Sequence, residues 1–167
     1  ALLAYAAAAR HLHLTGIYVA VSASTRELVF ALAAAARAAG RTISLDPNLR
    51  PSLWRTPAEM IDCVNRLAAQ SDWVLPGLAE GRLLTGQDTP QGIADFYLER
   101  GARAVVVKLG ADGEWFASAD GQGFAPAQPV ERVVDTVGAG DGFAVGVISA
   151  LLEGLPLAAA AARGNAI

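Results

Sequence analysis

Apolar residues along this chain change spacing repeatedly, and the changes lay out its elements. An alanine-rich stretch reads as a short helix up to Arg10, and residues 12–19, a run of β-formers, read as a strand. Ser24-Thr25-Arg26-Glu27 has the form of a capping box, opening a helix that ends at Gly40. Residues 42–45 are the next strand, and the polar string Asp46-Pro47-Asn48-Leu49-Arg50 follows its end. Thr56-Pro57-Ala58-Glu59 then starts a helix with proline at its first position. Residues 73–75 read as a strand and 78–85 as a helix closed by Gly86, while Thr89-Pro90 begins a helix running to Arg100. Residues 104–107 are unbroken β-formers, the pattern of a strand covered on both faces, and Lys108 ends them. Residues 114–118, a turn at Asp120-Gly121 and residues 123–125 predict a hairpin. Val130, Val133 and Val134 predict a short buried strand. Phe143, Val147, Ile148, Leu151 and Leu152 then recur at helical spacing until Gly154 and Pro156 stop them.

Strands separated by helices predict an α/β fold: a mostly parallel sheet with helices on both faces, three layers deep. In such sheets ligands bind beyond the C-terminal ends of the strands, and the polar motifs of this chain fall there. With no internal repeat or linker, residues 1–167 are expected to form one domain.

Composition narrows the classes. At 53% hydrophobic over 167 residues the chain can bury a substantial core, which excludes disorder. A net charge of −3 with no Lys/Arg-rich run argues against a nucleic-acid partner. Arginines interrupt the alanine runs before any stretch of about 20 apolar residues, so a soluble rather than a membrane protein is expected. The single cysteine, Cys63, falls in a predicted helix as a small buried side chain and fits a reducing cytoplasm. The chain begins Ala-Leu-Leu-Ala-Tyr, without a basic leader or an initiating methionine, and is expected to start inside a longer protein.

The densest chemistry lies in Asp135-Thr136-Val137-Gly138-Ala139-Gly140-Asp141-Gly142, a turn between a strand and a helix. Glycines there let an anion approach the backbone closely, and the first amides of the helix are unpaired donors at the positive end of its dipole. Asp141 stands at that same end. As a helix cap it is unremarkable; as a base, its carboxylate faces an attacking hydroxyl while the amides face a phosphoryl group. Gly142 and Gly146 would allow close packing of the helix. The string 46–50 is built of turn residues, yet an arginine after a strand end also suits a phosphate or carboxylate, to which its planar fork donates two hydrogen bonds. Lys108-Leu109-Gly110-Ala111-Asp112-Gly113 is a strand end and a glycine turn. No Gly-x-x-x-x-Gly-Lys-Ser/Thr is present, and the glycines at 138–142 do not complete a dinucleotide fingerprint. His11 and His13 share one strand face but lack a third ligand, and a structural role is expected for both.

Asp-Thr-x-Gly-Ala-Gly-Asp resembles the C-terminal signature of the PfkB, or ribokinase-like, carbohydrate kinases. Asp-Pro-Asn-x-Arg, continued by Pro51-Ser52-Leu53-Trp54, resembles the 2-keto-3-deoxygluconate kinase and fructokinase branches, with Leu75-Pro76-Gly77 favouring the former. The resemblance implies a ribokinase-like fold and ATP-dependent phosphorylation of a sugar or sugar-acid hydroxyl. Asp141 would be the base, and Gly138, Ala139 and Gly140 the anion hole. Asn48, Leu49 and Arg50 would face the nucleotide phosphates, with Arg50 and Asp141 also meeting the substrate. Lys108, Leu109, Gly110, Ala111, Asp112, Gly113 and Glu114 would line the ATP site, with Asn165 beside the adenine.

Pro76-Gly77-Leu78-Ala79-Glu80 matches the family's Asn-x-x-Glu motif with Gly77 in place of Asn, leaving Glu80 to support Mg²⁺ through water. By the same resemblance the chain is the C-terminal, ATP-binding portion of the fold. The Gly-Gly substrate motif, much of the sugar pocket and the β-sheet lid belong to an N-terminal part outside it. Such a portion is expected to be inactive alone and to self-associate through its open sheet edge.

Overall fold

Four parallel strands and an antiparallel hairpin form a single six-stranded sheet, in the order β1 to β6 of the chain. The computed structural model describes residues 1–129, 135 and 137–167. The elements run α1 (Leu2–Ala8), β1 (His11–Thr15), α2 (Gly16–Val21), α3 (Ala23–Ala38), β2 (Thr42–Asp46), α4 (Pro57–Ala68), β3 (Trp73–Val74), α5 (Leu78–Thr85) and α6 (Pro90–Leu98). They continue with β4 (Ala104–Lys108), β5 (Gly113–Ser118), β6 (Gly121–Pro126), α7 (Ala139–Leu152) and α8 (Leu157–Gly164). The expected strand at Val130, Val133 and Val134 lies outside the described residues.

Register explains how the sheet is held. Leu14, Leu45, Val74, Val105 and Ala117 are direct neighbours across five strands and form one buried row. Against that face pack Val29, Ala33 and Ala36 of α3, Met60, Val64 and Leu67 of α4, and Ile93 and Tyr97 of α6. Each large side chain so buried contributes about 1.5–3 kcal/mol relative to exposure, which makes this face the main source of stability. Cys63 is buried there as a free thiol. On the opposite face Leu75 and Val106 pack against Phe143, Ala144, Val147 and Ala150 of α7 and Ala160 of α8. Those two helices touch backbone to backbone: a Cβ on Gly146 would lie 2.7 Å from Gly164 Cα. Gly142 is less crowded, its nearest neighbour being Ile167 Cγ2 at 3.3 Å from such a Cβ.

Helix starts follow their capping side chains. Thr56 and Thr89 accept from Glu59 N–H and Gly92 N–H, each with proline at the first helical position, and Gly86 closes α5 in the left-handed region. The helix at residues 24–40 opens earlier than expected, because Ser22 rather than Ser24 is its cap. Ser22 Oγ accepts from Thr25 N–H and Thr25 Oγ1 from Ser22 N–H, both at 3.1 Å. A larger correction concerns residues 12–19. The strand ends at Thr15, whose hydroxyl accepts from Ile17 N–H to start α2. Gly16 permits the turn, since a Cβ there would lie 2.0 Å from the Pro47 carbonyl oxygen. Close passage of the 46–50 loop therefore overrides the β propensity of Ile17 and Val19.

Candidate active site

Strand β2 ends in an acid that the chain then wraps. Asp46 is buried, and its Oδ1 accepts the Asn48 N–H at 3.3 Å, tightening a turn in which Asn48 takes φ 39°, a conformation asparagine tolerates. Arg50 Nη1 donates to Asn48 Oδ1 at 2.7 Å and to the Leu49 carbonyl at 2.9 Å, so the exposed guanidinium folds over its own loop. Leu49 turns its side chain into the core and gives its N–H to Glu80 Oε1 at 2.7 Å. The other oxygen, Glu80 Oε2, accepts from Gly77 N–H at 2.9 Å, which fixes the start of α5. A single carboxylate thus fastens two strand-end loops together.

Lys108, last residue of β4, reaches back to the first of those loops and donates to Asp46 Oδ2 at 2.6 Å. Its ammonium lies beside the turn into α7, 3.9 Å from where a Cβ on Gly140 would be. Gly138 occupies the N-cap with φ 80°, a left-handed conformation open to glycine, and Asp135 Oδ1 accepts the Val137 N–H at 2.9 Å just before it. Asp46, Asn48, Arg50, Glu80, Lys108, Gly138, Gly140 and Asp141 line one polar cleft of about 180 Å³. Asp141 also borders two further clefts, one of them lined with His13, Leu14, Thr15, Ile17, Tyr18, Val29 and Asn48. The amides at the start of a helix with a lysine beside them can hold an anion, while the acid at the same end faces a neutral partner on its second side.

The histidines form a ladder on this face. His11 Nδ1 pairs with Thr42 Oγ1 and its Nε2 with Ser44 Oγ, both at 2.8 Å, and the ring stacks on Trp73. His13 Nδ1 pairs with the same Ser44 Oγ at 2.7 Å. Burial, reinforced by neighbouring His13, pulls the His11 pKa down to about 4. Burial also lowers that of His13, against the pull of the Asp46 and Asp141 carboxylates.

Not every expected site residue meets in the polar cleft. Ala139 is the first residue of α7 but does not line it, and Leu109 packs into the core. Gly110, Ala111 and Asp112 form a single 3-10 turn, and Gly113, with φ 116°, sits where a Cβ would lie 2.1 Å from the Ala125 carbonyl oxygen. Glu114 and Asn165 form a second cluster between β5, β6 and the end of α8, where Asn165 Nδ2 donates to the Pro126 carbonyl at 2.9 Å. Glu114 is buried, its Oε2 without a hydrogen-bond partner among the described residues. Burial pushes its pKa up to about 7, with the nearby Asn165 amide pulling the other way.

Two residues of the site escaped sequence reasoning. Asp46 was read only as a turn residue, although an acid closing a buried strand needs a partner, and that requirement was the available signal. His13 was read as structural; its place on the clefts that Asp141 borders has no sequence signal, since it depends on where the fold sets the start of α7.

A family model described as pfkB family carbohydrate kinase matches residues 1–167. The chain is 53% identical over 163 residues to the 2-dehydro-3-deoxygluconokinase of Bacillus subtilis (strain 168), covering 98% of this chain and 50% of that protein. It superposes on the crystal structure of a PfkB protein from Polaromonas sp. JS666 with a TM-score of 0.92 and 53% identity, covering 99% of this chain and 54% of that one. A putative ribokinase II from E. coli, solved in complex with ATP and Mg²⁺, matches at a TM-score of 0.84 and 32% identity, covering 94% and 50%. The chain spans about half the length of the relatives it matches.

Proposed function

The chain belongs to the pfkB family of carbohydrate kinases, and from that premise we propose that it carries the ATP-binding portion of a sugar kinase. The reaction is transfer of the γ-phosphoryl group of ATP to a primary hydroxyl of a sugar or sugar acid. The acceptor proposed is 2-dehydro-3-deoxygluconate, giving its 6-phosphate, as the 53% identity to a kinase named for that substrate supports. The observation that carries the reading is the position of Asp141, shared between the polar cleft beside Lys108 and the cleft lined by His13 and Thr15.

In this reading the donor phosphates occupy the polar cleft and the acceptor hydroxyl approaches from the other side. Asp141 accepts the hydroxyl proton as the oxygen attacks phosphorus. The unpaired amides at Gly138, Ala139 and Gly140 hold the equatorial oxygens, and the Lys108 ammonium adds a charged donor. Arg50, folded over its loop by one nitrogen, has further donors for phosphate or the acceptor's carboxylate. The lining fits a magnesium-bound polyphosphate: Arg50, Lys108, Gly138 and Gly140 border the cleft, and Glu80 lines it with them. Bound there through water to Glu80, Mg²⁺ would neutralise charge on the phosphate oxygens. Glu114 and Asn165 stand at the adenine end.

A coupled ADP-release assay on the full-length protein, with 2-dehydro-3-deoxygluconate and with fructose, tests this. Turnover favouring the sugar acid is expected. Equal or better turnover with fructose would reject the acceptor, and no transfer to either sugar would reject both acceptors without touching the family.

A further inference from the structure

Lys108 is the sole lysine of the chain, against twelve arginines, and its ammonium is not free. It is held by Asp46, which borders the cleft but offers an anion no hydrogen-bond donor, and whose carboxylate is almost wholly buried, with 6% side-chain exposure. Of the three ammonium hydrogens, one is committed to Asp46 Oδ2, the other two have no partner among the described residues, and the nitrogen lies beside the turn at Gly140. The other Asp46 oxygen accepts the Asn48 N–H and so shapes the loop that carries Arg50. A flexible four-carbon stem anchored this way loses its rotamer freedom before any anion arrives, and that cost no longer opposes binding. The two cationic side chains of the cleft are thereby tied to one carboxylate.

We infer that Asp46 is the positioning residue of the phosphate site: it aims the Lys108 ammonium at the turn into α7 and sets the Asp-Pro-Asn-Leu-Arg loop through its second oxygen. The inference rests on the kinase reading for the identity of the anion, but the ion pair itself does not. An arginine in place of Lys108 would spread its charge over a planar fork too wide for a single carboxylate oxygen and a phosphate beside Gly140. A lone lysine among arginines is therefore the side chain the geometry requires.

The test uses the full-length protein. If it carries no second lysine, ¹⁵N-labelled protein has one side-chain ammonium resonance, and in a longer chain Lys108→Met assigns it. That resonance should be visible in the wild type, because a paired ammonium exchanges slowly, and lost in Asp46→Asn, whose amide keeps the acceptor for Asn48 N–H but not the charge. Calorimetric titration with MgATP should show Asp46→Asn and Lys108→Met each weakened by about tenfold, the value of one hydrogen bond to a charged group. The double variant should be no weaker than Lys108→Met alone. Asp46→Ala, which loses both roles, should weaken binding further than Asp46→Asn, with thermal unfolding confirming that each variant is folded. An unchanged ammonium signal in Asp46→Asn, or losses that add in the double variant, would overturn the inference. A wild type that shows the paired ammonium but does not bind MgATP would overturn both the phosphate role and the kinase reading. The same protein binding MgATP without transfer to either sugar would reject both acceptors alone and leave Asp46 in its role.

Discussion

The two faces of strands β1 and β2 are made from alternate residues of the same short segments, yet they do opposite work. On one face Leu12, Leu14, Ile43 and Leu45 enter the large core under α3, α4 and α6. On the other, His11, Thr42, His13 and Ser44 form a hydrogen-bonded ladder, and Asp46 at the end of β2 pairs with the Lys108 ammonium. The first face gains stability from area removed from water. The second must satisfy every buried polar atom with a specific partner, which fixes geometry at a cost in desolvation. A sheet can therefore place a rigid charge beside a site because its reverse side holds the strand in register. Farther along the sheet the contrast fades, since Val106 and Leu75 meet α7 and α8 as an ordinary apolar layer.

Substitutions on the two faces should separate stability from chemistry. If Asp141 is the base proposed above, Asp141→Asn in the full-length protein is expected to lower turnover by about 10²–10⁴-fold with little change in MgATP affinity, because the anion donors remain. Steady-state kinetics with calorimetry checks it, and parallel loss of binding would place Asp141 in the wrong role. On the sealed face, Leu45→Ala, one residue from Asp46, should cost about 2–5 kcal/mol in urea unfolding while the KM for ATP stays within about threefold. A large KM change there would break the division between the faces.

A smaller effect is expected where the second cluster meets the solvent pH range. Glu114 has a folded pKa of about 7, above its ordinary value of 4.5. The folded state thus holds the proton more tightly, and its contribution to stability is full below about pH 4.5 and lost as pH rises through about 7. Glu114→Gln should flatten unfolding free energy over that window by about 1 kcal/mol per pH unit. His11 works in the reverse sense. Its pKa of about 4 means that stability is full above about pH 6.5 and falls as the pH drops toward 4. The Glu114 variant must accordingly be compared with wild type at matched pH, and an unchanged slope would show that the buried carboxyl is already ionised.

Much of the fold was legible because it rests on local rules. Thr56 and Thr89 as caps, Gly86 as a left-handed stop and the four-residue run at 104–107 each mark an element through short-range chemistry. The misread strand at 12–19 shows the limit. Its end is set by the Pro47 carbonyl oxygen passing Gly16, a contact across 31 positions that no propensity encodes. The glycine turn with Asp141, the loop at 46–50, Glu80 and Lys108 were visible as motifs at strand ends, and the cleft gathers members of all four. The Asp46–Lys108 pair was not visible, because it depends on β2 and β4 being separated by β3 alone in the sheet. His13 was hidden for a similar reason: periodicity placed it on a face without showing that Asp141 borders the same clefts.

The central claim is that the polar ends of β2 and β4 and the start of α7 form one anion cradle, while the sealed face takes no part. Amide and side-chain NMR of the full-length protein during titration with MgATP tests it directly. The account predicts saturable shifts at residues 46–50, Lys108 Nζ and residues 138–141, with Ala33, Val64 and Ile93 unmoved. Shifts confined to the sealed face, or none at Lys108 and Gly140 at saturation, would contradict it.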